Sequence, residues 1–266
     1  MNEIISIIQI DRYHFGIPAV IICSLFFPAL YYFISRKPIK KKLDPEVLGG
    51  FFQVIGTIYA ILIGLIVYDA TSRYSSAHET VENEAKAVLQ VYTLAKHIKT
   101  GGAGESIIKK VKEYNDEAVY NDWRILQDGG YNLKARSILR ELNDDILSLN
   151  TSSTNEEAIL PMLIQASMDI WGFRIKRFNS YTSSFPTSEW VLLFSGALIT
   201  IFTAFFFQLE CRKTQSILIL LTSLIIFSSL YAIYMFSEPY RGDFTISNEP
   251  FLIAKNIMSN VYFERQ

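Results

Sequence analysis

Four stretches of the chain, residues 16–35, 47–68, 190–208 and 216–236, contain no Asp, Glu, Lys or Arg. Each is 19 to 22 residues long, and a helix rising about 1.5 Å per residue over that length crosses about 30 Å of hydrocarbon. The pattern predicts four transmembrane helices in two hairpins, 16–68 and 190–236. A cleaved leader is the competing reading of the first stretch. Against it, residues 1–15 hold one Arg beside Glu3 and Asp11, the apolar run is long, and a basic flank follows at 36–42. The first helix is therefore expected to be retained.

Residues 69–189 change period. Ala85, Val88, Val91, Tyr92 and Ala95 recur at three- and four-residue steps with no breaker until 100–104, so the second span is predicted to run on as one helix to about Lys96. A second helix over 105–127 carries Ile108, Val111, Asn115, Ala118, Asp122 and Leu126 on one face, widened by Ile107, Tyr114, Val119 and Trp123. A third, 133–149, presents Ile138, Leu142, Ile146 and Leu149. A fourth, 159–178, presents Leu163, Ala166, Ile170 and Phe173, with Pro161 in its first turn and Ser153 with Glu156 as a capping box. No alternating strand pattern competes. The expected fold is all-α: a polytopic membrane protein with four transmembrane helices, a helical-bundle middle domain at 69–189, an N-terminal segment 1–15, and a C-terminal turn and short helix at 237–266.

Charge adds compartment and exclusions. The net charge is -1 with 25 basic and 26 acidic residues, which gives no pull toward nucleic acid. Cys23 and Cys211 have neither metal nor disulfide spacing. No Gly-rich phosphate loop, HExxH or GxSxG occurs, so no enzymatic activity and no cofactor are expected. The turn at 36–46 holds five Lys/Arg and the turn at 210–215 holds Arg212 and Lys213, whereas the other span flanks hold one Arg each. On this balance both hairpin turns face the cytoplasm, and both termini and the middle domain lie outside, across a bacterial inner membrane. Arg174, Lys176 and Arg177 weigh against that orientation.

Within the second span, Gly49, Gly56, Ala60 and Gly64 fall on one face; Gly196, Thr200 and Ala204 repeat the device in the third. Small residues let helix backbones approach closely in lipid, so the stripes imply packing within the chain, contact between subunits, or a pore wall. The spans offer hydroxyls and amides (Gln53, Thr57, Tyr59, Ser195, Thr200, Thr203, Thr222, Ser223, Ser228, Ser229) and no ionisable acid or base. That disfavours a proton relay. Asp69, at the end of the second span, is either a solvated helix acid or a pore-mouth acid. His78 and Glu82 share a face but lack further metal ligands. Glu113, Asp116, Glu117, Asp144 and Asp145 read as solvated faces. After the fourth span, Pro239 stops the helix and Gly242 permits a bend. Arg241 suits a structural clamp on carbonyl oxygens, or an anion or lipid phosphate.

The 49–64 segment with the Glu/Ala-rich helix after it, the 190–207 span, and Pro239-Tyr-Arg-Gly-Asp-Phe-Thr-Ile-Ser-Asn-Glu-Pro-Phe251 resemble a membrane family of bacteria and plants labelled bestrophin-like. Glu238 and Tyr240 stand where the family pattern has Asp and Phe, and the acidic calcium clasp and aromatic neck of true bestrophins are not seen. The resemblance implies two membrane hairpins flanking a helical middle region. Its label implies an oligomeric anion channel with that region in the cytoplasm, opposite to the charge balance. The expected function is an ion channel or channel-like permeation protein, a homo-oligomer in the lipid bilayer passing an inorganic ion. The alternative is a membrane sensor or adaptor whose bundle binds a ligand or partner.

Overall fold

A computed structural model describes residues 12–35, 45–151, 153–182, 185–206, 212–240 and 244–259. Its α-helices, in chain order, are α1 (Arg12–Ile34), α2 (Pro45–Ala95), α3 (Ala103–Glu117), α4 (Trp123–Gln127), α5 (Leu133–Leu147), α6 (Thr154–Thr182), α7 (Thr187–Phe205), α8 (Arg212–Phe236) and α9 (Glu249–Met258). Among the described residues there is no strand. Segments of α1, α2, α7 and α8 are long and apolar enough to cross a membrane. The chain divides into a unit of residues 1–74 and 184–244 and a unit of residues 75–183 and 245–266. The 51-residue α2 contributes to both.

In the first unit α1 and α7 both pack on α8. Buried Phe27, Tyr31, Leu193, Ile201, Ile226 and Ile233 form its core. In hydrocarbon the apolar core supplies no exclusion from water, so close packing and hydrogen bonds must hold the helices. Tyr59 of α2 donates its hydroxyl to the Leu193 carbonyl at 2.9 Å, and its ring lies where a Cβ on Gly196 would be. Gly196 is thus the residue that admits α2 against α7. Ser223 donates to the Ser24 carbonyl of α1 at 3.0 Å, and Gln215 to the Ala204 carbonyl at 2.5 Å.

The second unit is an amphipathic helical bundle. Its helices stop where the sequence supplies left-handed glycine: Gly101 and Gly102, at φ 61° and 74°, turn the chain between α2 and α3, a conformation glycine adopts without a Cβ penalty. Asn132 caps α5 by accepting from the Lys134 and Ala135 amides at 3.0 and 3.2 Å. The short C-terminal α9 belongs to this unit. Asn115 of α3 donates to the Phe251 carbonyl, Tyr92 of α2 to the Met258 carbonyl, and Asn248 to the Val119 carbonyl.

Three local expectations change. The helix expected over 105–127 contains one π turn at Ala118–Asp122, with Asp122 and Trp123 buried as their place on the apolar side implies. The fourth bundle helix starts at Thr154, so Pro161 lies inside it rather than in its first turn. Ser153 caps that start by accepting from the Glu156 amide at 3.3 Å. Among the described residues Glu156 returns no bond to Ser153; it accepts from the Lys99 and Thr100 amides and the Thr100 hydroxyl. The Glu156 carboxylate instead ties down the amides of the turn between α2 and α3.

Candidate permeation face and the buried charge cluster

Gly49, Gly56 and Gly64 share a face of α2 that meets nothing among the described residues: a Cβ added at any of them has no neighbour within 4 Å. Ala60 on the same face is exposed. At about 100° per residue, Gln53 and Thr57 project from this stripe as well. Both are exposed, and no hydrogen bond holds either side chain among the described residues. The α7 stripe behaves differently. Gly196 receives Tyr59, Thr200 is buried and donates back to the Gly196 carbonyl at 2.8 Å, and Ala204 is buried. One small-residue stripe therefore packs inside the chain and the other lies open.

Most span hydroxyls are satisfied by their own helices. Ser195, Thr203 and Ser229 donate to the carbonyls of Leu192, Ile199 and Ile225 at 3.0, 2.7 and 2.9 Å, the ordinary recourse of Ser and Thr in lipid. They do not converge on a path. Asp69 is ion-paired with Arg73 at 2.6 Å and lies about 160° around α2 from Gln53. The structure therefore does not join it to the open stripe. His78 and Glu82 sit 3.4 Å apart, and among the described residues no three His, Cys, Asp or Glu converge as a metal site. Pro239 and Tyr240 are buried after α8, and Phe244 packs beside Tyr74 and Phe236 with ring centroids 5.3 and 5.4 Å away. Arg241 and Gly242 lie outside the described residues.

The most highly charged interior of the molecule lies in the second unit. Arg177 of α6, 2% exposed, donates from Nε to Glu84 Oε2 at 2.8 Å and from Nη2 to Glu84 Oε1 at 3.1 Å and Asp122 Oδ2 at 2.6 Å. Arg174, one turn earlier, clamps Asp122 with bonds of 2.7 and 3.1 Å and donates to the Asn132 carbonyl at 3.0 Å. Tyr114 donates to Glu84 at 2.5 Å. Two cations thus face two carboxylates across α2, α6 and the π turn. Burial and the neighbouring Glu84 push the Tyr114 hydroxyl well above its ordinary range, keeping it a neutral donor. Burial pushes the Asp122 carboxyl upward, but Arg177 and Arg174 outweigh it and hold the group below its usual range. Glu117 is similar: against burial, bonds from Lys134, Asn132 and Asn121 lower it.

This cluster corrects the sequence reading of the bundle's charges. Glu117 is buried, not part of a solvated face. Arg174 and Arg177 are neutralised internally, so they carry little weight as free charges for membrane orientation. A signal was present in the sequence. Arg174 and Arg177 continue the apolar stripe of Leu163, Ala166 and Ile170, and Glu84 falls between Val81 and Val88 on the buried stripe of α2. A charge on an apolar stripe needs a buried partner, though its identity is not encoded locally.

The comparisons agree with this architecture. No curated protein sequence matches the chain. A bestrophin homologue from Klebsiella pneumoniae, solved by Zn-SAD phasing, superposes with a TM-score of 0.69 at 12% identity, over 92% of this chain and 97% of that one. A point variant of that homologue gives 0.69 at 12% identity, over 93% and 99%. At such identity the likeness shows the fold. The profile of the bestrophin-like domain matches residues 17–251. Sequence profile, four-span helical architecture and shared fold converge, and the chain belongs to the bestrophin-like family of membrane proteins.

Proposed function

We propose that the protein is an ion channel built as a homo-oligomer, with the open α2 face directed toward the neighbouring subunits and the conduction path. The observation that carries this is the pairing of exposed Gln53 and Thr57 with Gly56, Ala60 and Gly64 on one face of a span that no described residue covers. An amide left without hydrogen bonds in hydrocarbon costs several kcal/mol. Water or another chain must therefore cover that face, and glycines allow either a close helix seam or an unobstructed wall. The absence of ionisable side chains along the spans fits passive permeation of an ion better than proton coupling.

The purified full chain in planar bilayers is expected to conduct a small inorganic ion, and Gly64→Trp is expected to reduce the current at least tenfold without lowering thermal stability. Silence across both anions and cations from a protein shown to be oligomeric overturns the proposal. The basic turns support a bundle outside the cytoplasm of a bacterial inner membrane. Burial of Arg174 and Arg177 removes the main charges set against that orientation. Single cysteines at Ser76 and Lys110, in a background with Cys23 and Cys211 replaced by Ser, are expected to react with an impermeant maleimide from the outside. Reaction only after the cytoplasmic face is opened reverses the assignment.

A further inference from the structure

In the first unit, α1 and α7 run in the same direction on either side of α8. They meet at one end, where Phe205 of α7 lies against Phe27 and Tyr31 of α1 with ring centroids 6.5 and 5.7 Å away. Toward the other end they part around a crevice of about 680 Å³. Its α1 wall is low, formed by Gly16, Ala19, Val20 and Cys23, and its opposite walls are aromatic, formed by Trp190 and Phe194 of α7 and Phe227 and Tyr231 of α8. Gly16 carries no Cβ where the Tyr231 ring lies, which fixes the floor at that end. The aromatic end of the crevice lies beside Phe15, Trp190 and Tyr234, and the contact of α1 with α7 at Phe27 and Phe205 lies beyond its other end.

We propose that this crevice seats one acyl chain of a membrane phospholipid. The volume falls in the range of about 300–1,000 Å³ typical of small-molecule sites, and apolar side chains dominate the lining. Trp190, Tyr231 and Tyr234 at the open end are the residue types that settle at headgroup depth. A chain enters there and stops where α1 and α7 close. Lipid, not a second protein chain, is the occupant because of how α7 is oriented. Gly196 faces α2, whereas Trp190 and Phe194 lie about 200–240° around the same helix. The crevice thus opens on the side of α7 away from the α2 seam. This choice between lipid and protein rests on the reading of α2 as the subunit-facing helix. Seated there, the chain acts as a wedge that sets the splay of α1 from α7.

The test is native mass spectrometry of the full chain extracted in mild detergent from phospholipid membranes. Wild type is expected to retain one phospholipid per chain. Ala19→Phe, which fills the crevice, is expected to lose it. Ile22→Phe, an exposed α1 position outside the lining, is expected to keep it. Equal retention by wild type and Ala19→Phe overturns the proposal. A second readout needs no filling variant. In Cys211→Ser protein, Cys23 is expected to react with an apolar maleimide at least tenfold faster after delipidation than with phospholipid restored. Unchanged rates, or chain-to-chain crosslinking through Cys23 with no lipid retained, also overturn it. Conductance separates the two readings. A silent protein that retains lipid sinks only the channel, and a conducting one that retains none sinks only the crevice.

Discussion

Replacing Arg177 with methionine isolates the buried charge cluster. The guanidinium makes three charge-assisted bonds, two to Glu84 and one to Asp122. Its loss leaves Asp122 with both Arg174 bonds but leaves Glu84, 0% exposed, with the Tyr114 hydroxyl as its one partner among the described residues. Breaking a buried pair by removing one partner costs about 3–5 kcal/mol, because the remaining charge is uncompensated. At about 2–4 °C per kcal/mol for a chain of this size, the melting temperature should fall by roughly 10 °C. Trp123 lies against the guanidinium, with Arg177 Cζ 5.3 Å from its ring centroid, so intrinsic fluorescence of the full chain in detergent reports the transition. Glu84→Gln added to Arg177→Met should recover part of the loss, since no buried charge is left without a partner. A melting shift under 2 °C, or a double variant as damaged as the sum of the singles, refutes the claim that the cluster is a coupled electrostatic unit.

Gly196→Ala places a methyl in the Tyr59 ring and should destabilise the membrane unit by about 1–3 kcal/mol, measured by thermal melting. Gly56→Ala, where nothing lies within 4 Å, should leave that melt unchanged and alter oligomer size on chromatography or multi-angle scattering. Asn132→Ala removes the α5 cap and the Asn132–Glu117 bond of 2.9 Å; a loss of about 1–2 kcal/mol should follow. The depressed Asp122 and Glu117 carboxyls contribute stability that is present above their unfolded pKa near 4. It is lost as pH falls through their lower folded values, so acid melts of wild type should stay flat down to about pH 5 and collapse below about pH 4.

The four spans and the long second helix were legible because their information is local. A run without charges has one low-energy solution in lipid, and a helix continues until glycine or a polar loop stops it. The α2 stripe of Gly49, Gly56, Ala60 and Gly64 was equally legible, since spacing alone puts it on one face. What spacing could not decide was what lies opposite. Only the assembled fold shows Tyr59 against Gly196 and nothing against Gly56. The sequence likewise marked Asp122, Arg174 and Arg177 by position but not by partner. Their pairing spans 52 and 55 residues, beyond the reach of any helical period. Solvent preference and helical period are properties of segments, so the sequence alone determined the membrane class and the helices. Hydrogen-bond partners, the satisfied hydroxyls and the crevice between α1 and α7 depend on residues distant in the chain meeting at specific distances, and those the tertiary structure decided.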